Sequence, residues 1–255
     1  MKKFFQILPV LAAMAIFLPT YASLPDGYWV KARVGYGIGG TAPLGVPATI
    51  RSLDKLRLTP NLSVGADVGK PISGPWGIAT GLYLANKGMD AEITTKGYKM
   101  ALRMDESEME GVYTGHVRQQ VTQWMLTLPV TATYELPSRW MLRGGPYLSA
   151  VLSKDFSGYA YDGYLRQDSP TGPKVVMGSS EGEWATYDFS SDMRRLQAGI
   201  LVGADWQMSE AWGLSADLQW GLTGIHHSDF KTVEQTLYPI YGTICLTYNI
   251  KNKNN

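Results

Sequence analysis

Trp124-Met125-Leu126-Thr127-Leu128-Pro129-Val130-Thr131-Ala132-Thr133-Tyr134-Glu135 is the stretch on which the fold turns. Trp124, Leu126, Leu128, Val130, Ala132 and Tyr134 alternate with Gln123, Thr127, Thr131, Thr133 and Glu135. A period of two puts these sets on opposite faces of a β-strand. A soluble β-sandwich or lipocalin-like barrel shows the same alternation, but its apolar face points into a core. The opposing face here is too polar to be the inside of a soluble protein. Polar-in and apolar-out requires lipid outside, which selects a transmembrane barrel.

Seven further segments repeat the pattern. Tyr28, Val30, Ala32, Val34, Tyr36 and Ile38 alternate with Trp29, Lys31, Arg33 and glycines, and Leu62, Val64, Ala66 and Val68 with Ser63, Asp67 and Gly69. Trp76, Ile78, Leu82 and Leu84 share one face, and so do Trp140, Leu142, Leu148 and Leu152 opposite Arg143. Leu196 to Trp206, Trp212 to Trp220 and Tyr238 to Ile250 complete the set, with Asp205 and Asp217 on the polar faces. Ser73-Gly74-Pro75, Pro137-Ser138-Arg139 and Ser209-Glu210-Ala211 make short turns, whereas 41–59, 90–116, 155–191 and the shorter 228–236 are long connections. The expected fold is all-β: an eight-stranded antiparallel up-and-down transmembrane barrel with short periplasmic turns and long extracellular loops. Trp29, Trp76, Tyr134, Trp140, Trp206, Trp212 and Tyr248 fall beside the short turns, where a periplasmic aromatic girdle belongs.

Composition narrows the function. With 23 Lys+Arg against 22 Asp+Glu the chain lacks the basic excess of a nucleic-acid binder. One cysteine, Cys245, allows neither an intrachain disulfide nor a thiolate zinc site, and no cofactor motif occurs. Lys2 and Lys3, the apolar run from Phe4 to Leu18 and Thr20-Tyr21-Ala22 read as a secretory signal peptide, residues 1–22, cleaved after Ala22. The barrel domain is then 23–255. Export with this pattern implies a Gram-negative outer membrane, with the lipid bilayer and lipopolysaccharide as surroundings.

An eight-stranded barrel is only wide enough to be filled by side chains. Lys31, Arg33 and Arg143 face Asp67, Glu135, Asp205 and Asp217 in the expected interior. Asp205 and Asp217 flank one turn and should lie nearly opposite, so Arg33 or Lys31 should reach between them. Glu135 and Arg143 flank the next turn and should pair. These charges predict a polar plug in the periplasmic half and no open diffusion pore.

Several stretches resemble the PorT-like, or "porin family", outer-membrane barrels of Bacteroidota. They are Trp124 to Val130 with Thr133-Tyr134, Gly144-Gly145-Pro146-Tyr147-Leu148, Gln197 to Gly203, Trp220-Gly221-Leu222-Thr223-Gly224-Ile225, Leu246-Thr247-Tyr248-Asn249-Ile250 and Leu84-Ala85-Asn86-Lys87-Gly88. The chain departs from the usual barrel end, with Ile250 and a polar tail in place of a terminal aromatic. The resemblance implies location and fold, and it admits membership of a protein-secretion assembly with secretion-system or surface proteins as partners.

Two other functions stay open from the residues. A barrel working through its loops would use Tyr159, Tyr161, Tyr164, Trp184 and Tyr187, since exposed aromatics on long loops suit partner contact. Self-packing of that loop as a strand extension above the membrane is the competing reading. A lipid A-modifying hydrolase would use His226 and Ser228, placed by parity on the lipid face, and Glu234 across the hairpin, with His226 as base and Glu234 orienting it. That set resembles the His-x-Ser of lipid A deacylase barrels. The acidic run Asp105 to Glu110 reads as a solvated loop, and adjacent His226 and His227 point to opposite faces, against a metal site.

Overall fold

The computed structural model describes residues 27–45, 47–57, 59–104, 107–180, 182–230, 232 and 236–250. The expected signal peptide, the acidic tip Asp105-Glu106 and Glu234 lie outside the described residues. Among the described residues there are eleven strands: β1 (Trp29–Pro43), β2 (Ile50–Arg57), β3 (Asn61–Ser73), β4 (Trp76–Met104), β5 (Ser107–Leu136), β6 (Trp140–Gln167), β7 (Lys174–Met177), β8 (Ala185–Asp188), β9 (Leu196–Gln207), β10 (Trp212–Gly221) and β11 (Leu237–Ile250). Eight of them form a closed antiparallel ring, β1-β3-β4-β5-β6-β9-β10-β11, which returns to β1. Closure leaves no open edge in the ring, the condition for a sheet in hydrocarbon, where an unpaired backbone group costs several kcal/mol.

Side-chain parity sorts the ring as the alternation requires. Val34, Ile38, Leu62, Ile78, Leu128, Leu148, Ile200, Leu218 and Ile244 stand exposed on the outside, while Arg33, Asp67, Thr127, Thr131, Arg143, Ser149, Gln197 and Asp217 are buried in the lumen. This arrangement only makes sense with lipid around it. At the short-turn end, three cross-strand aromatic pairs ring the outside. Trp76 lies 4.8 Å from Tyr134, Trp140 lies 6.1 Å from Trp206, and Trp212 lies 4.9 Å from Tyr248. Trp29 is a correction: it shares the inward parity of Lys31 and Arg33, sits over Gly69, and lines the mouth of the lumen instead of the lipid girdle.

The opposite end differs from expectation. Segments 41–59 and 90–116 are largely strand. β2 pairs with the outer half of β4, from Ile50↔Thr95 to Arg57↔Asp90, and the β4–β5 hairpin continues to Met104↔Ser107. β6 likewise runs on to Gln167, where β7 and β8 pair with it. One further bridge, Arg103↔Thr186, joins β8 to β4. Strands β4-β5-β6-β8 therefore close a second, smaller ring above the first.

The reason lies in a change of pattern along single strands. On β5 the inward residues are mostly polar at Thr133, Thr131, Thr127 and Gln123, with Met125 between them, and turn apolar at Val121, Val117 and Tyr113. On β4 they change from Tyr83 and Lys87 to Met89, Ala91 and Tyr98. These residues join Phe156, Ala160, Leu165, Met177, Tyr187, Phe189, Met193 and Ile225 in one buried cluster. The part of the protein above the ring thus encloses an apolar core of its own, opposite in pattern to the polar lumen below. We call it the head.

Candidate functional site

The lumen is filled in tiers from the short-turn end. At the mouth, Trp29, Lys31, Glu135, Arg139 and Asp205 line an open recess. Above it, Arg33 donates to Asp67 at 3.1 Å, to Asp217 at 2.7 Å and to the Tyr83 hydroxyl at 3.0 Å. It also donates to the Ser215 hydroxyl, and Tyr83 donates to Asp67. Arg143 donates to both Asp217 oxygens at 2.5 Å, to Asp67 at 3.3 Å and to Tyr83 at 3.1 Å. Asp205 lies 3.7 Å from Arg143 and 3.5 Å from Lys31. Three cations and three carboxylates therefore balance. Space for them comes from Gly81 and Gly203, where a Cβ would collide with the Asp67 or Asp217 carboxylate.

The sequence residues Lys31, Arg33, Asp67, Arg143, Asp205 and Asp217 all meet here, but not in the pairings expected. Glu135 stands exposed at the rim, opposite Met141 in register, and takes no part in the network. Its expected partner Arg143 sits one inward step higher, opposite Thr133, within reach of three aspartates instead. Asp205 and Asp217 are offset too: Asp205 pairs with Ser215 and Asp217 with Gly203, and Arg143 is the cation that touches both. Tyr83 is the member sequence reasoning missed. Its inward parity was readable; that its hydroxyl joins two arginines to an aspartate was not.

Higher in the lumen come the apolar trio Tyr83, Tyr147 and Leu201, then Lys87 with Gln219. Gln123, opposite Lys87 in register, accepts from Gln197 at 3.2 Å, and Thr127, opposite Tyr83, lies 2.7 Å from Ser149. The core of the head closes the top.

On the outside of the head lies a second constellation. Trp184 stacks on Tyr159 with centroids 4.4 Å apart, Tyr159 neighbours Tyr161 at 5.6 Å, and Tyr161 stacks on His116 at 5.5 Å. Arg118 donates to the Tyr159 hydroxyl at 3.2 Å and forms a two-pronged contact with Asp90 at 2.7 and 3.0 Å. Hydrogen bonds from Arg118, then Gln120, hold the Asp90 carboxyl below the usual carboxylate range, and those from Lys55 and Arg57 do the same for Glu92. Tyr164 lies apart, under Lys174 at 4.3 Å. Tyr187 is a correction: it is buried in the core, stacks on Phe189 at 5.2 Å, and cannot meet a partner.

His226 and Ser228 are corrected as well. β10 ends at Gly221, so the parity that would turn His226 to lipid is broken by the bend after it. His226 is buried between Phe156 and Phe230, each with its ring 4.7 Å away, and forms an isolated bridge with Met193. Ser228 is exposed on the turn beyond. The two do not form a nucleophile–base pair.

The buried imidazole has a pH consequence. Burial lowers it from an ordinary 6.5 to about 4, partly opposed by Asp192 and reinforced by His227 and Lys154. Neutral at pH 7, its Nε2 has no hydrogen-bond partner. An unfolded head takes up this proton first. The stabilisation is therefore fully present above 6.5 and is lost as pH falls to about 4. The loss is on the order of 3 kcal/mol. Asp90 and Glu92, held below their ordinary 3.8 and 4.5, begin to lose their own stabilisation only as pH falls through those values, so they add little above pH 4.5. Urea titrations at pH 7 and pH 4 should show the drop in wild type and a much smaller one in His226→Leu. Equal drops would remove the imidazole as the cause.

A closed eight-stranded ring with a lipid-facing apolar belt and a charge-filled lumen defines an integral membrane β-barrel. Within that class, the chain belongs to the family described as outer membrane protein beta-barrel domain, which matches residues 22–227. It is a protein of the outer membrane, with its short turns in the periplasm and its head outside. Similar solved structures include Ail, the attachment invasion locus protein of Yersinia pestis, at 9% identity, covering 89% of this chain and 100% of that one with a TM-score of 0.39. Neisserial surface protein A is 10% identical, covering 89% and 97%, with a TM-score of 0.36. OprG from Pseudomonas aeruginosa is 11% identical, covering 88% and 96%, with a TM-score of 0.33. The comparison with curated proteins returns no match.

Proposed function

We propose that this protein is a non-conducting barrel that holds a rigid head at the cell surface, and that the head binds a macromolecular partner. The observation that carries this reading is the extension of β4, β5 and β6 past the lipid belt around a hydrophobic core of their own. Anchoring in the membrane needs none of that structure. The balanced arginine–aspartate plug supports the non-conducting part, because buried charges so paired are held for structure. The Tyr159–Trp184 stack, with Tyr161, His116 and Arg118 beside it, supports the binding part. Aromatic residues and arginine are the types enriched where proteins bind proteins.

The motifs shared with PorT-like barrels support a narrower version, in which the partner belongs to a protein-secretion assembly. Affinity isolation of the tagged protein from its native outer membrane in mild detergent tests both. Wild type should bring down a stoichiometric partner that the double variant Tyr159→Ser/Trp184→Ser loses. A partner retained by the variant would place binding elsewhere. In planar bilayers the purified protein should give no stable single-channel openings, and steady conductance would overturn the non-conducting part.

A further inference from the structure

Among the described residues the lumen holds a fully enclosed cation that the plug does not neutralise. Lys87 is buried on β4, above the arginines. Asp67, Asp205 and Asp217 are already engaged by Arg33, Arg143 and Lys31. The next acids along β4, Asp90 and Glu92, project from the opposite face of the strand and meet Arg57, Arg118 and Lys55. Among the described residues Lys87 forms no ion pair. Its ammonium donates to Gln219 Oε1 at 2.6 Å and faces the rings of Tyr241 at 5.2 Å and Tyr147 at 5.7 Å. One amide oxygen and two ring faces disperse a positive charge without cancelling it. An ammonium has three donors, so this one retains hydrogen-bonding capacity.

Beside Lys87 the structure leaves a void of about 20 Å3, lined also by Asn61, Ser63, Tyr241, Thr243 and Gln219. That is room for a single water-sized group. We propose that this void binds one small monovalent anion, a halide in size and charge, held by the Lys87 ammonium and the hydroxyl and amide donors around it. The three elements of the argument are independent: an unneutralised buried cation, a void of the right size touching it, and a lining rich in donors. Burying an ammonium without a counter-charge is strongly unfavourable, and a halide restores neutrality at this tier of the lumen.

Crystals of the full chain grown in sodium bromide, with data collected at the bromine absorption edge, test the site directly. The expected result is an anomalous peak within hydrogen-bonding distance of Lys87 Nζ that is lost in Lys87→Met. In solution, wild type should show a higher unfolding midpoint in chloride or bromide than in gluconate at equal ionic strength, and Lys87→Met should show no such difference. A void that holds only water in bromide crystals would overturn the proposal, as would a peak that persists in Lys87→Met. Should Lys87→Met fail to fold, the presence or absence of the wild-type peak decides alone.

Discussion

Arg143→Met is expected to destabilise the folded barrel by about 3–5 kcal/mol, the cost of removing one partner from a buried charge pair. The guanidinium meets Asp217 twice at 2.5 Å and Asp67 at 3.3 Å, and among the described residues it alone links Asp205 to Asp217. Without it two cations face three buried carboxylates. The size of the loss comes from the stranded carboxylate, not from the net worth of the pair. Removing the excess charge should therefore restore stability. Arg143→Met/Asp217→Leu leaves Arg33 with Asp67 and Lys31 with Asp205, and it should recover at least half of the loss. Urea unfolding of the barrel, followed by the gel shift between folded and unfolded forms, measures both. A single variant as stable as wild type would mean that the plug is not held by charge.

Phe156→Ala should cost a similar amount, about 3–5 kcal/mol, but in a different place. Phe156 is 1% exposed at the centre of the head, with His226 at 4.7 Å, Phe189 at 6.1 Å and Tyr187 at 6.4 Å. Its removal leaves a cavity that the surrounding rings cannot fill, because β8 and the segment carrying His226 are held by their own bridges. The membrane ring contains none of these contacts. Proteolysis from outside should therefore cut the head of the variant while the barrel below stays folded by its gel shift. Loss of both together would show that head and barrel fold as one unit.

The ring was legible in the sequence because lipid and lumen impose opposite demands on alternate residues. Thr127, Thr131 and Thr133 cannot belong to a soluble core, and Leu126, Leu128 and Val130 cannot face an aqueous lumen. The head was less legible for a related reason. Where β4 and β5 leave the lipid, outward residues become polar and inward ones apolar, so the alternation weakens and the segment reads as a loop. Met89, Ala91, Val117 and Val121 carry the signal, but it depends on knowing where the lipid ends. The charges of the plug could be named from parity alone, whereas their partners could not. Parity fixes a face; the height at which Glu135 and Arg143 stand depends on strand register across a turn, where Ser138 and Arg139 adopt positive φ. His226 was misplaced because parity was carried past the end of β10.

The head also constrains the order in which the protein is made. A lumen packed tier upon tier with side chains admits no polypeptide, so once the ring is shut nothing can be threaded through it. Yet the hairpins that build the head begin on the inner side of the membrane and finish outside. They must cross while the wall is still open. The pairing of first strand to last, fourteen residues long from Val30↔Ile250 to Pro43↔Leu237, is thus the final stitch of assembly. Closing it too early would leave the apolar stretches of the head stranded on the way.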